Sequence, residues 1–411
     1  MHLRLSDTFL SLKLRDFRLL WMGQLSTAMG IWMDNVTRGW LMYDLTGSPF
    51  LLGLTGAFKA VPMLVFGVLA GVLADRYARK PQIIIAQFVN MAVNLGLAIL
   101  VVTHMVQPWH VLTTALIAGT ASAFQQPARQ AIVSDLVEEK YLTNAISLNS
   151  MAFNISRSLG PVIAGILVAL IGVAGAYFFQ AAIYLSASIW TIQIAVPKLA
   201  HGGPGGDNRR EVSILQDILV GLRYIKSDRV IFALLLLSLI PTLLGQPYVS
   251  LMPVFAKDIF RAGPEGLGVL MSAIGLGAIV GALMVGTFKQ GGQKGLILLA
   301  QATVFGISLL FFAFNPWFGI ALPILWVAGF TYTGYSVLTN TLIQSHTPPK
   351  LRGRVLSIYF LNHGLMPLGI LLAGGMAEVL GAPMSVGILG IACAILPVVV
   401  ALTVPHIRRL S

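Results

Sequence analysis

Asp34 and Arg38 lie one helical turn apart inside an apolar stretch, 19–45, that is long enough to cross a bilayer. An ionisable side chain at mid-bilayer costs at least about 2.5 to 3.5 kcal/mol, so charges placed there point to a use. Further charges fall in other apolar stretches: Lys59, Arg129, Arg157 and, near the C-terminal end, His363. A lone acid among cations suits the binding and release of a proton, because moving a cation away from the carboxylate changes its hold on that proton. Asp34 is the residue expected to couple protons, with Arg38 and Arg157 as the cations that hold it. Two readings stand for the pair: a permanent Asp34–Arg38 bridge within one helix, or a bridge that opens. Arg157 either holds Asp34 or attracts an anionic solute. Arg129 reads as an interface anchor whose guanidinium snorkels to the membrane surface.

The elements that position these residues are membrane spans. Of 411 residues 56% are hydrophobic and 10% charged, with a mean hydropathy of +0.83. Twelve spans are expected, at 19–45, 50–74, 82–104, 111–133, 144–170, 174–196, 230–256, 265–288, 295–314, 317–343, 354–380 and 383–404. The fold class is therefore an all-α membrane protein. The net charge of +12 is distributed as an insertion signal: Arg76, Arg79, Lys80, Lys198, Arg209, Arg210 and Arg408 share one side, and only Lys257 and Arg261 fall on the other. Both termini are expected in the cytoplasm by the positive-inside rule, and nucleic acid is excluded as a partner. The N-terminal apolar run is too long for a secretory leader and carries Asp34 and Arg38. Cys393 alone makes no intramolecular disulfide.

The chain divides into an N-terminal six-helix bundle, 1–196, a polar linker with an amphipathic helix, 197–228, and a C-terminal six-helix bundle, 229–411. The halves echo each other. Leu159-Gly160-Pro161 through Gly165 matches Leu368-Gly369-Ile370 through Gly374 at an offset of 209, and Pro49, Leu52, Gly53 and Gly71 match Pro264, Leu267, Gly268 and Gly286 at 215. A duplicated bundle places a substrate site at the interface of its repeats, exposed to each side in turn. Small-residue stripes, Gly67-Gly71-Ala74 and Gly277-Gly281, are expected to bring helices close. Expected cavity residues are Trp32, Lys59, Phe153, Asn154, Tyr248, Tyr335, Tyr359 and His363, which suit a sizeable amphipathic solute.

Gly71-Val72-Leu73-Ala74-Asp75-Arg76-Tyr77-Ala78-Arg79-Lys80 resembles the G-x-x-x-D-R-x-G-R-K signature of the major facilitator superfamily, with Ala78 in place of a glycine. The resemblance implies a conformational latch of Gly71, Asp75, Arg76, Arg79 and Lys80, with Asp135 as the carboxylate near span four and the helix starting near Arg354 as acceptor for Asp75. Arg157 through Gly165 resembles the G-x-x-x-G-P-x-x-G-G motif of the superfamily's antiporters, and implies a bend at Gly160, Pro161 and Gly165, packed against span eight. Gln126-Pro127-Ala128-Arg129, Asn144-Ala145 and Thr46-Gly47-Ser48-Pro49 are similar to the branch that holds macrolide-efflux and siderophore (enterobactin) export proteins.

No nucleotide-binding loop, metal-spaced Cys/His set or hydrolase motif is present in the sequence, so neither an enzyme nor a cofactor is expected. The expectation is a monomeric, multi-pass exporter of an amphipathic organic solute, drug-like or siderophore-like, in a bacterial-type inner membrane, exchanging its solute for protons. Its other partners would be membrane lipids. The rival readings are a symporter or uniporter importing a small metabolite, and a non-transporting membrane scaffold.

Overall fold

The computed structural model describes residues 10–195, 223–226, 228–286, 293–348, 351, 355–356, 358–359 and 364–410. The helix expected near Arg354, His363 and nearly all of the linker segment lie outside the described residues. Among the described residues the regular structure is entirely helical.

The long helices are α1 (Arg15–Thr46), α2 (Pro49–Arg76), α3 (Arg79–Val102), α4 (Pro108–Leu136) and α5 (Glu139–Ile192), then α6 (Arg229–Ile240), α7 (Gly263–Gly286), α8 (Lys294–Phe314), α9 (Phe318–His346), α10 (Met366–Leu380) and α11 (Ala382–Thr403). Eight helical stretches among the described residues are long and apolar enough to cross a membrane. Neither α1 nor α4 meets that criterion, and these two carry Gln24, Asp34, Arg38, Gln125 and Arg129. The polar content that weakens them as apolar rods is the content that builds the site. Spans five and six form the two arms of α5, which part at Gly172, where φ is +73°. Span seven begins as α6 and continues to Ile259 through π and 3-10 turns around Pro241, Pro247 and Pro253, each of which lacks a backbone donor.

By their internal packing the helices form two units: Met1–Thr46 with Phe58–Asn208, and Gly47–Ala57 with Arg209–Ser411. In the first, α3 packs on α4 and on α5, and α1 packs on α5; in the second, α8 packs on α9 and on α11, and α7 packs on α9. The repeat is visible in particular contacts. A Cβ on Gly119 of α4 would stand 2.2 Å from the Lys59 carbonyl of α2, and one on Gly329 of α9 would stand 2.1 Å from the Ile274 carbonyl of α7. Lys59 and Ile274 are equivalent at the 215 offset. Gly160 faces Trp32 of α1 while Gly369, its equivalent, faces Leu243. Gly172 and Gly381, also 209 apart, both take positive φ, a conformation in which a side chain is strained.

The small-residue positions differ in what they meet. Among the described residues nothing lies within 4 Å of a Cβ built on Gly67 or Gly71, and Ala74 alone of that stripe is buried in a core cluster, whereas Gly277 and Gly281 press on the carbonyls of Trp326 and Phe330. The small surface at Gly160 is used by α1, whose Trp32 Cβ lies 2.8 Å from the built Cβ. Within the second unit, Glu378 of α10 caps the first turn of α2 by accepting from Ser48 Oγ at 2.7 Å and from the Phe50 amide at 3.0 Å.

The close approach at Gly329 predicts a stability difference. Gly329→Ala is expected to lower the melting temperature, because over-packing a seam costs about 1 to 3 kcal/mol. Gly96→Ala, where nothing lies within 4 Å, is expected to leave it unchanged or raise it slightly. Heating with a thiol-reactive dye reads both through the buried Cys393; equal melting curves would contradict the assignment.

Candidate functional site

The α1 residues Gln24, Thr27, Asp34 and Arg38 are spaced so that they share one face of the helix. That face meets α4 running the other way: Arg129 donates to Gln24 and Thr27, and Arg38 donates to Thr114. The polar stripe and its antiparallel partner give the first unit a hydrogen-bonded interior seam within otherwise apolar helices.

Asp34 is its centre. Arg38 Nε donates to Asp34 Oδ1 at 3.0 Å and Oδ2 at 3.1 Å, a forked approach that a planar guanidinium favours. Its Nη1 goes on to Thr114 Oγ1 at 2.7 Å and the Val111 carbonyl at 3.2 Å. Lys59 of α2 donates to Asp34 Oδ2 and, at 2.8 Å, to Asn35 Oδ1. One carboxylate thus joins α1 to α2 directly and to α4 through Arg38. The Asp34 side chain is 4% exposed, that of Arg38 2% and that of Lys59 21%, so Lys59 is the member nearest to open space.

Arg157 stands elsewhere. Its guanidinium lies 5.7 Å from the Trp32 ring centroid, and Trp32 meets Phe153 edge to face at 5.8 Å. The pairing of Arg157 with Asp34 considered from the sequence is replaced by a cation over an aromatic wall. The Trp32 indole N–H is buried and has no partner among the described residues. Asn154 is exposed and donates only to the Ser150 carbonyl of its own helix. Arg129 does not snorkel: it is 5% exposed and bonded inward.

In the second unit, Tyr248 packs at 2% exposure against Phe305 and Phe312, as core rather than as a cavity wall. Tyr335 and Tyr359 border a cavity of ≈ 10 Å³ with Ser238, Thr242, Tyr332 and Ser336, enough for one water-sized occupant. The Tyr335 hydroxyl is buried. At the turn between α2 and α3, Arg79 bonds both Asp135 oxygens at 2.6 Å and the Ala131 carbonyl at 3.1 Å. Lys80 holds the carbonyls of Ile192 and Ile194 at the end of α5. Asp75 and Arg76 are exposed.

Sequence reasoning passed over Asn35, Thr114, Gln24, Gln125, Ser238 and Thr242. The recurrence of polar residues on one face of α1 was the signal for the first three, since it requires polar partners on whatever helix it meets. Gln125 lies one turn before Arg129 on α4.

The sequence pattern that defines transmembrane secretion effectors matches residues 6–410. The staphyloferrin A transporter of Staphylococcus aureus is 27% identical over 368 residues, which cover 88% of this chain and 90% of that protein. Macrolide efflux protein A of Streptococcus pyogenes is 25% identical over 370 residues, 89% of this chain and 90% of that one. The multidrug efflux pump Tap of Mycolicibacterium fortuitum is 25% identical over 395 residues, 94% and 95% of the two chains. Among solved structures, a bacterial homolog of the human lysosomal transporter Spinster superposes with a TM-score of 0.74 at 15% identity, covering 99% of this chain and 98% of that one. The nucleoside transporter NupG gives 0.71 at 15% identity, covering 97% of this chain and all of that one. At those identities the structures share the fold.

The ion cluster predicts an asymmetry in stability. Asp34→Ala strands two cations and is expected to cost about 3 to 5 kcal/mol, whereas Lys59→Met leaves Asp34 with Arg38 and costs less. Thermal unfolding of the two purified variants measures this, and a larger loss for Lys59→Met would contradict the arrangement.

Proposed function

This chain belongs to the transmembrane secretion effector family of the major facilitator superfamily, whose members are membrane transporters and not enzymes, and from that premise we propose that it exports an amphipathic organic solute in exchange for protons. The arrangement proposed is twelve spans in two six-helix bundles, 1–196 and 229–411, joined by a linker, with both ends in the cytoplasm of a bacterial-type cell. The positive-inside distribution supports that orientation. The named relatives are two efflux proteins and a siderophore transporter, which supports export over import.

The observation that carries the reading is the shared carboxylate. Asp34 is held by Lys59 from α2 and by Arg38, itself tied to α4. A proton arriving on Oδ2 competes with Lys59 for that oxygen, and its binding leaves Lys59 with Asn35 Oδ1 alone, which weakens the hold of α2 on α1. Departure of the proton restores the tie. A switch that links protonation to the attachment of one helix is what exchange by alternating access requires, because each state must favour one ligand over the other. Trp32, Phe153 and Arg157 in the first unit, and Tyr335 and Tyr359 in the second, are the residues proposed to receive the solute; the turn holding Arg79, Lys80 and Asp135 is proposed as the latch that stabilises one state.

Proteoliposomes carrying the purified chain and a panel of fluorescent amphipathic dyes test the proposal under an imposed pH difference. Efflux driven by the gradient is expected from the wild type, and Asp34→Asn is expected to abolish the dependence on the gradient while leaving dye binding intact. Undiminished gradient-driven transport by Asp34→Asn would overturn the coupling role, and dye movement in the direction of the protons would overturn antiport.

A further inference from the structure

Arg129 is a buried cation with no carboxylate in ion-pairing reach among the described residues. Its acceptors are neutral: Gln24 Oε1 and, at 3.4 Å, the Gly23 carbonyl for Nη1, and Thr27 Oγ1 at 3.1 Å for Nη2. Its Nε, fully buried, finds no acceptor among the described residues. One turn away on the same helix, the Nε2 of Gln125, a residue 3% exposed, is also buried without an acceptor among them. These two donors belong to residues that border one cavity of ≈ 20 Å³, whose wall includes Gln24, Thr27, Ser122 and Phe153. A buried guanidinium satisfied only by neutral groups leaves a net positive charge in a poorly solvated place, and unmet donors there cost free energy until an acceptor arrives. A volume of that size admits one water-sized atom, such as one oxygen of a carboxylate.

We infer that Arg129 and Gln125 form an anion subsite that takes a single small oxyanion group, a carboxylate above all, supplied by the transported solute or by a free anion in solution. Arg129 is bonded to Gln24, ten residues before Asp34 on α1, which places the subsite roughly 15 Å along the helix from the ion cluster. It is therefore separate from the proposed proton switch, whose cations already share Asp34. Phe153 belongs to both the cavity and the Trp32 wall, so the subsite opens next to an aromatic surface. A carboxylate joined to an apolar body suits the two together. That extension to the solute rests on the exporter reading; the binding of an anion does not.

The test has two arms. In the first, the full-length protein in nanodiscs is melted across a series of sodium acetate or sodium chloride concentrations, with ionic strength held by a bulky sulfonate salt. Acetate is expected to raise the melting temperature saturably, by several degrees, as a ligand of the folded state does. Arg129→Gln is expected to remove the response. Gln24→Glu, which sets a carboxylate against Arg129 from within the chain, is expected to remove it too and to melt without acetate as the saturated wild type does. No acetate response in the wild type, or the same response in Arg129→Gln, overturns the inference. In the second arm, vesicles export a rhodamine dye with a free carboxylate or its methyl ester. A drop of about tenfold for the acid alone in Arg129→Gln assigns the site to the solute. A lost acetate response with both dyes unaffected assigns it to a free anion. Failure of the wild type to export either dye counts against the exporter reading and leaves the acetate arm to judge the subsite.

Discussion

A single carboxylate inside the first unit answers two cations from two directions, and the arrangement of α1, α2 and α4 depends on that sharing. Arg38 reaches Asp34 from one turn along the same helix and anchors itself on Thr114 and the Val111 carbonyl of α4. Lys59 reaches it from α2 at a point where Gly119 lets the α2 and α4 backbones touch. Remove the acid and two positive charges remain among apolar helices. Lys59 and Arg38 are thus held by one group, and Lys59 alone has a second acceptor on α1, Asn35.

The scaffold that holds this cluster is duplicated, and the cluster is not. Gly119 against Lys59 and Gly329 against Ile274 are the same backbone contact made twice, and the equivalent glycines Gly160 and Gly369 each take a close neighbour, the Trp32 Cβ in one half and the Leu243 carbonyl in the other. At the equivalent of Lys59 the second half has an isoleucine, and at the equivalent of Arg157 a methionine. Close packing is thus common to both copies of the repeat, while Lys59 and Arg157 stand in one copy of it. The second unit offers neutral hydroxyls instead, at Ser238, Thr242, Tyr335 and Tyr359.

Much of the fold was legible because lipid imposes it. Long apolar stretches have to be helices, since every backbone polar group must be satisfied within its own segment, and the expected spans at 82–104, 295–314 and 383–404 fall within three residues of α3, α8 and α11. The break between spans five and six was legible at Gly172. The irregular course of span seven was not, because three prolines in a strongly apolar stretch change the turn type without changing the hydropathy. At the site, Asp34 and Arg38 were found by their cost alone. Their third partner was missed, because nothing in a sequence says which faces of α1 and α2 meet. The same ignorance made Arg129 a snorkelling residue on paper: its distance from the helix end allows that, but Gln24 and Thr27 offer acceptors inward. The resemblance supplied Asp135 as a carboxylate near span four without saying which arginine meets it, and Arg79 lies 2.6 Å from it.

The most direct measurement of the central interaction is a double-mutant cycle on thermal unfolding, comparing the wild type with Asp34→Asn, Lys59→Met and the two combined. If Lys59 acts through the carboxylate it shares with Arg38, the combined variant is destabilised by clearly less than the sum of the two single losses, because either substitution already breaks the tie. Losses that add would mean that the two side chains work independently, and the shared carboxylate would no longer explain how α2 is held to α1.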